Sequence, residues 1–216
     1  MSVVPLKTEH PNPTVVQTQA DFKLEGHALL IQGLDLDQLA NSTGSNVSYD
    51  LRIGGQYRDH RERGVKSIPV GGTITLHPGA ALIIETAEYL HLPRSMYGTI
   101  SPRVSLLQKG LSSTFSKVDP GYNGPLLITL FNLGKTTVTL QRGEPFCALT
   151  VFKVASGATI YNKSSKRIDA ELARQPGPRL RDLLEANHVT VMIILILATL
   201  VLAAVTFIDF VYRTPH

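Results

Sequence analysis

Short runs of apolar and β-branched residues, each bounded by turn residues, fill the chain between about residues 45 and 155. Thr73 to Leu76, Ala81 to Glu85 and Tyr89 to Leu92 are predicted as three strands, and LLITLFNL and TTVTLQ as two more. Turn residues return at intervals of about eight to twelve positions, and no long amphipathic helix interrupts them. The pattern predicts an all-β domain, a sandwich or barrel of short strands.

The pattern changes at residue 189, where an uninterrupted apolar segment begins. Val189 to Ile208 contains twenty residues and no charge, and at about 1.5 Å per residue such a helix spans the ~30 Å hydrocarbon core of a bilayer. A buried core helix would be out of place in a β chain, and a helix that is apolar on every face needs an apolar solvent. We therefore predict a transmembrane helix over residues 188–212.

Positive charge is distributed unevenly around this helix. Because positively charged flanks are retained in the cytoplasm, we expect a single-pass membrane protein with its β-domain in the cytoplasm and its short C-terminus outside. Only Arg213 follows the apolar segment, whereas the positive residues before it are Lys163, Lys166, Arg167, Arg174, Arg179 and Arg181.

Composition divides the remaining chain into segments. Residues 1–22 are polar with three prolines and are predicted as a flexible arm. The β-domain is predicted over residues 23–155, with a short strand and a turn of helix within Leu24 to Leu39 before its main strands. A polar, basic linker follows over 156–187, with a short helix near its end, and residues 213–216 form a tail.

Composition also excludes several classes of function. The net charge of +4 is mild and forms no basic block, so no nucleic-acid partner is predicted. One cysteine, Cys147, excludes an intramolecular disulfide and a Cys-rich zinc site, and it argues against zinc-dependent nucleobase deaminases. Cys147 lies in an apolar strand and is predicted as a core residue. The seven histidines are scattered without a ligand-like pair, so no metal site is predicted.

The densest turn chemistry lies between Ser101 and Lys153. VDPGYNGP supplies two Pro, two Gly and Asn around Asp119, which predicts a tight turn there. Arg103, Ser105 and Asp119 are predicted at the ends of strands, where side chains can converge on a ligand while the sheets stay rigid.

Four motifs in this region, PRVSLLQKGL, KVDPGYNG, LFNLG and RGEPFCAL, resemble in order and spacing those of the dCTP deaminase and dUTPase family. The deaminase pattern is roughly GRSSLARLGL and then IDPG, and the dUTPase pattern has PRSGLG, IDSDYQG and GERIAQ. The resemblance extends upstream through Tyr49 to Arg58 and Leu76 to Pro93, and so covers about residues 45 to 155. It implies a dUTPase-like β fold and a homotrimer whose sites lie between subunits. Each site would bind a deoxynucleoside triphosphate with Mg²⁺ on its phosphates.

The resemblance also implies roles for four residues. Arg103 and Ser105 match phosphate-binding residues, and an Arg fork suits bidentate phosphate contact. Asp119 matches the carboxylate that orients the attacking water in dUTPases and lies beside the sugar and base in deaminases. Tyr122 matches the aromatic residue that stacks on deoxyribose. Simpler interpretations stay open: a solvent-facing Arg103, a packed turn Tyr122, and for Asp50 an ion pair with a neighbouring Arg.

Three departures from the family pattern bear on catalysis. The general-base Glu of deaminases is replaced by Thr129, which cannot take a proton from water at neutral pH. The last Arg of RSSLAR is Gln108, and the Gln of GERIAQ is Ala148. The Gly-rich arm that closes over the phosphates in dUTPases is absent, and the Tyr and Lys of the deaminase tail match only loosely.

The candidates for those tail residues are Tyr161 with Lys163 or Lys166.

Two classes of function therefore stand side by side. The first is a membrane-anchored member of the family that binds dCTP or dUTP and hydrolyses it. The second is a catalytically inactive nucleotide sensor or trimeric membrane scaffold. An unrelated β-sandwich that presents a loop surface is a third reading.

Overall fold

The computed structural model describes residues 2–9, 11–40, 46–62, 64–154, 158–163, 168 and 187–213. The chain forms two compact units, residues 1–174 and residues 175–216. The first unit contains the β-domain and the second contains a long apolar helix. The predicted linker and the short helix near its end lie largely outside the described residues.

Within the described residues, the β-domain consists of short and medium strands joined by tight turns, and three short helices lie between them. Its strands are β1 (Ser2–Val3), β2 (Val15–Val16), β3 (Leu29–Gln32), β4 (Ser48–Asp59), β5 (Lys66–Ser67), β6 (Thr73–Leu76), β7 (Ala81–His91), β8 (Met96–Pro102), β9 (Leu111–Ser113), β10 (Ser116–Val118), β11 (Asn123–Asn132), β12 (Val138–Gln141) and β13 (Pro145–Lys153). Its helices are α1 (Gln19–Glu25), α2 (Asp37–Ala40) and α3 (Val104–Leu107).

Most strands belong to one sheet with the order β10-β8-β13-β4-β7-β11-β9, in which neighbours are antiparallel. The long strand β4 joins its two halves, because residues 48–52 pair with β13 and residues 53–59 pair with β7. Strands β12 and β6 form a separate antiparallel pair. The predicted all-β class is confirmed.

The core lies beneath strands whose residues alternate between buried and half-exposed positions. In β7, Leu82 and Ile84 are buried, and in β11 Ile128 and Leu130 face the same interior. This period of two places every second side chain on the outer face of the sheet. The outer face of β7 and β11 therefore carries the half-exposed side chains that matter for the candidate site.

The N-terminal residues differ from the predicted flexible arm. Val4 and Leu6 are buried in the core, and β1 pairs with β13. Val15 and Val16 are also buried and form a parallel pair with β3. The reason is that short apolar runs alternate with the prolines, and burying each such side chain contributes about 1.5–3 kcal/mol.

Two further differences concern local structure. The predicted strands Ala81 to Glu85 and Tyr89 to Leu92 are one continuous strand, β7, whereas β6 has the predicted bounds. Ser105 was predicted at a strand end and lies instead in the single helical turn α3, which directly follows β8 and Arg103.

The second unit contains helix α4 (His188–Arg213). An 18-residue window within residues 188–208 has a mean hydropathy of 3.0, and none of that window is buried. By length and composition this helix can cross a membrane. The apolar helix predicted from the sequence is therefore confirmed as a helix.

Candidate functional site

The turn between β10 and β11 holds the predicted residues Asp119 and Tyr122. The amide of Tyr122 donates to the carbonyl of Asp119 at 3.0 Å, and Gly121 adopts a φ of +79° that favours glycine. Two further backbone hydrogen bonds tie the turn to Leu92, which directly follows β7. The Gly121 amide donates to the Leu92 carbonyl at 3.1 Å, and the Leu92 amide donates to the Tyr122 carbonyl at 2.9 Å. The backbone of the turn is therefore fixed on both sides.

The Asp119 carboxylate is about one-third exposed at the surface of this turn. Its Oδ1 lies 2.9 Å from Nζ of Lys117. The hydrogen bond to Asp119 raises the pKa of Lys117. An exposed carboxylate with one basic partner keeps lone pairs available for water or a ligand.

Tyr122 packs into the turn more tightly than a surface residue would. Its hydroxyl donates to the carbonyl of Pro125, and its ring lies 5.5 Å from that of Tyr161 at an angle of 51°. Burial raises the pKa of Tyr122, and the neighbouring Tyr161 adds to that effect. The packed-turn interpretation of Tyr122 is thus correct for this chain.

The segment of residues 158–163 lies directly on this turn. The amide of Tyr161 donates to the carbonyl of Pro120 at 2.8 Å. A Cβ on Gly121 would lie only 2.3 Å from Cγ2 of Ile160. Glycine at position 121 therefore serves both the turn conformation and the close approach of Ile160.

A cavity of about 510 Å³ opens beside the same turn, between Gly121, Ile160 and the end of β7. His91 forms part of its wall and stacks on Phe22 with ring centroids 4.1 Å apart. Burial lowers the pKa of His91. Volumes of about 300–1,000 Å³ are typical of small-molecule sites.

Arg103 directly follows β8, at the end of that strand that is far from the Asp119 turn. It makes two contacts there. Its Nη1 donates to the carbonyl of Pro145 at 3.0 Å, and its Nη2 lies 3.1 Å from Oδ2 of Asp50. Burial raises the pKa of Asp50, and the charge of Arg103 opposes that shift. The ion pair that the sequence offered as an alternative for Asp50 is therefore present, and Arg103 is not simply solvent-facing. Ser105 is exposed on α3.

The structure does not bring the four predicted residues together in one chain. Val118, next to Asp119, pairs with Gly98 near the start of β8. Arg103 follows Gly98 by five residues, which corresponds to about 17 Å of extended chain. Asp119 with Tyr122 and Arg103 with Ser105 thus form two separate groups, the two candidate half-sites.

Thr129 lies on the outer face of β11, half-buried between two strands. Thr114 lies on one side of Thr129. The Thr114 amide donates to the Thr129 carbonyl at 2.9 Å, and the Thr114 hydroxyl accepts from the Thr129 amide at 3.3 Å. On the other side Thr129 pairs with Ile83 of β7. No carboxylate is carried at position 129 itself.

A buried carboxylate network that sequence reasoning missed stabilises the neighbouring strands. Glu88 is fully buried on β7 and accepts from Nε of Arg52 at 2.7 Å, from the Arg52 amide at 3.0 Å and from the hydroxyl of Tyr49 at 3.2 Å. The remaining Arg52 nitrogens contact the carbonyl of Gly33 and the carboxylate of Asp35. The signal available in the sequence was Glu88 itself, an acidic residue within a largely apolar strand.

Within the part of the chain that the structure describes, no three His, Cys, Asp or Glu side chains come together in a group that could hold a metal ion. Cys147 is fully buried, as predicted for a core residue.

Comparison with known proteins identifies relatives over the β-domain. Residues 23–154 match the family model described as dCTP deaminase-like. A dCTP deaminase of Thermococcus kodakarensis is 34% identical over 113 residues, which cover 52% of this chain and 71% of that relative. A dCTP deaminase of Shewanella frigidimarina is 30% identical over 157 residues, covering 60% of this chain and 81% of that relative.

Two solved structures have a backbone similar to part of this chain. The 2'-deoxycytidine 5'-triphosphate deaminase of Agrobacterium tumefaciens has a TM-score of 0.46 and 20% identity, over 55% of this chain and 41% of that chain. A dUTPase from phage phi11 of Staphylococcus aureus, which coordinates a structural Mg(II) ion, has a TM-score of 0.44 and 15% identity, over 65% of this chain and 99% of that chain. Since the family model spans more than half of the sequence, the chain belongs to the dCTP deaminase-like family.

Proposed function

We propose that this chain binds a deoxynucleoside triphosphate, dCTP or dUTP, at a site that two subunits of a homotrimer complete together. The observation that carries the proposal is the separation of the predicted residues into two half-sites at opposite ends of β8. If all four residues act on one nucleotide, a second copy must bring its Arg103 end to the Asp119 end of the first. Head-to-tail contacts generate rings such as trimers when the rotation between neighbouring subunits closes.

Each half-site has chemistry that suits one part of the nucleotide. The Arg103 guanidinium is held by Asp50 and Pro145, and its planar fork suits phosphate oxygens. The exposed hydroxyl of Ser105 adds a neutral donor. At the other half-site, Tyr122 offers an aromatic face to the sugar and Asp119 a carboxylate to water or the base.

Mg²⁺ is proposed to bind mainly through the phosphates of the nucleotide. The described residues provide no carboxylate cluster for it. Because Mg²⁺ keeps several waters and commonly uses substrate phosphates with only one or two carboxylates, the residues present fit this mode. When bound, the ion would neutralise phosphate charge beside Arg103.

Two kinds of hydrolysis are compatible with the family. Asp119 could orient a water toward the α-phosphate, which would give diphosphate hydrolysis of dUTP. Deamination of dCTP needs a proton acceptor near the base, and Thr129 does not provide one. A second candidate, a catalytically inactive sensor or trimeric membrane scaffold, is favoured by this Thr129 replacement.

We further propose that α4 anchors the protein in a membrane as a single-pass helix. The β-domain would lie on the cytoplasmic side and the short C-terminus outside. Support comes from the length and hydropathy of residues 188–208 and from the excess of positive residues before the helix.

The experiment that tests the shared site uses the full chain in detergent with dCTP or dUTP and Mg²⁺, and measures binding by calorimetry. Arg103→Gln and Asp119→Asn are each expected to weaken binding at least tenfold. The two variants are then unfolded together and reassembled as mixed trimers. About a quarter of the sites between subunits should regain both residues, because each of the two subunits at a site carries the required residue in about half of the cases. No recovery in demonstrably mixed assemblies would assign the site to a single chain and overturn the proposal.

A further inference from the structure

The strand pairing places a carboxylate next to the position where the deaminase pattern has its general base. In the register of β7 with β11, Ile83 pairs with Thr129 and Glu85 pairs with Leu127. Glu85 is therefore the diagonal neighbour of Thr129 on the same outer face of the sheet. Such diagonal neighbours lie about 7–8 Å apart at their Cα atoms, within reach of long side chains.

The carboxylate of Glu85 has an unusual environment for a residue on a half-exposed sheet face. Its Oε2 is buried and has no hydrogen-bond partner among the described residues. Buried polar atoms are nearly always hydrogen-bonded, so an orphan oxygen indicates a bound water, a ligand or a catalytic role. A buried glutamate with a purely structural role has donors around its carboxylate, as Glu88 does with three hydrogen bonds.

Other groups of the candidate site lie on the same side of the domain. Glu85 pairs with Leu127 of β11, five residues after Tyr122, whose hydroxyl contacts the same strand. Burial and the nearby tyrosines raise the pKa of Tyr122, and the charge of Glu85 adds to this effect. Pro125, which accepts from that hydroxyl, pairs with Tyr89 on the same two strands. Glu85 thus lies between the turn of Asp119 and the vacant base position at Thr129.

We propose that Glu85 is the general base of a cytosine deamination at this site and takes over the task of the carboxylate missing at position 129. The proposal rests on the proposed function, because it needs dCTP bound with its base toward Tyr122 and Thr129. It names the reaction that the site performs and the residue that performs it.

The proposed step is hydrolytic and needs no oxidant or reductant. Glu85 takes a proton from a water molecule while the water oxygen forms a bond to C4 of the cytosine and the electron pair of the C4=N3 double bond moves to N3. Glu85 then returns its proton to the amino group of the tetrahedral carbon, the C4–N4 bond breaks and ammonia leaves. The hydroxyl proton passes to N3 as the C4 carbonyl forms, so that dCTP and water become dUTP and ammonia.

The decisive experiment moves the carboxylate between strands in the full chain, with dCTP and Mg²⁺ in detergent. Ammonia release and calorimetric binding are measured for each variant. Glu85→Gln should lose ammonia release by about 100-fold or more, the usual contribution of a general base, with dCTP affinity within about threefold. The double variant Glu85→Gln/Thr129→Glu should regain activity, because its carboxylate occupies the neighbouring position.

Glu62→Gln is the matched control, since Glu62 is an exposed carboxylate paired with Lys66 and distant in sequence from the site. It should keep ammonia release unchanged. If the wild type binds dCTP without releasing ammonia and Thr129→Glu alone creates the activity, Glu85 is not a base and the inference fails while the binding site stands. If the wild type binds neither dCTP nor dUTP, the proposed function fails, and the inference with it.

Discussion

The guanidinium of Arg103 lies 3.1 Å from the carboxylate of Asp50, so a candidate phosphate ligand is also half of an ion pair between β4 and the end of β8. Burial raises the pKa of Asp50 above its ordinary value of 3.8, and Arg103 opposes the shift. The folded chain therefore binds this proton more tightly than the unfolded chain. As pH rises from 3.8 through the folded-state pKa, ionisation of Asp50 costs stability.

Arg103→Gln should widen the pH range over which ionisation of Asp50 costs stability, because it removes the charge that favours ionised Asp50. The variant is expected to be less stable than the wild type at pH 7, with a difference that disappears as pH falls below the ordinary Asp value of 3.8. Urea unfolding followed by tyrosine fluorescence measures this, since the chain has no tryptophan. In an Asp50→Asn background the pH-dependent part of the loss should vanish. A loss that stays constant with pH would contradict the assignment.

Glu88→Ala should be the most destabilising substitution among the acidic residues described. The carboxylate is fully buried and receives three hydrogen bonds from Arg52 and Tyr49. Removing one partner of a buried ion pair costs about 3–5 kcal/mol, because the other charge remains uncompensated. The free energy of unfolding from urea titration gives the comparison.

The control for this prediction is the exposed pair of Glu62 and Lys66, whose side chains are 48% and 45% exposed. Glu62→Ala should change the free energy of unfolding by no more than about 1 kcal/mol. A similar loss for both variants would mean that Glu88 has no special structural role.

The polar residues of β7 explain why its full length was not predicted. Thr86 and Glu88 face the interior, which interrupts the apolar alternation between Ala81 and Leu92. Each is satisfied by partners from distant segments: the hydroxyl of Thr86 accepts from the Leu126 amide at 3.0 Å, and Glu88 is bound by Arg52. Local pattern cannot identify such partners, so one strand was predicted as two.

The candidate site divides in the same way between local and long-range information. The turn of Asp119 and Tyr122 was predictable, because Pro and Gly specify it locally. The distance between Asp119 and Arg103 depends on the register of β10 with β8, and the closeness of Glu85 to position 129 depends on that of β7 with β11. Register follows from pairing across the whole sheet.

Gly121→Ala should destabilise the chain more than Gly143→Ala does. Both glycines have positive φ, +79° and +86°, so a side chain costs about 1–2 kcal/mol of backbone strain at either position. Only at Gly121 would the new Cβ also meet Ile160, at 2.3 Å, whereas nothing lies within 4 Å at Gly143. Overpacking adds about 1–3 kcal/mol. Equal losses in urea titration would show that Ile160 yields freely.

Cys147 should be unreactive toward thiol reagents in the folded chain. It is fully buried, and burial raises the pKa of its thiol, with Glu88 and Asp50 adding to the shift. The thiolate is the reactive form, so modification by a chromogenic disulfide should require unfolding and should follow the urea transition. Stoichiometric reaction in buffer within minutes would contradict the burial of this residue.

The inertness of Cys147 makes the chain suitable for mapping α4 relative to a membrane. The full chain should float with liposomes and remain bound after a carbonate wash. Leu197→Arg with Ala198→Arg should release it, since each Arg at a helix centre costs about 2.5–3.5 kcal/mol; Leu197→Phe should not.

With an impermeant maleimide on intact cells, Thr214→Cys should be labelled at once and Ser67→Cys, in exposed β5, only after lysis. The reverse pattern would place the β-domain outside, because Thr214 directly follows the helix whereas Ser67 lies in the β-domain that precedes it.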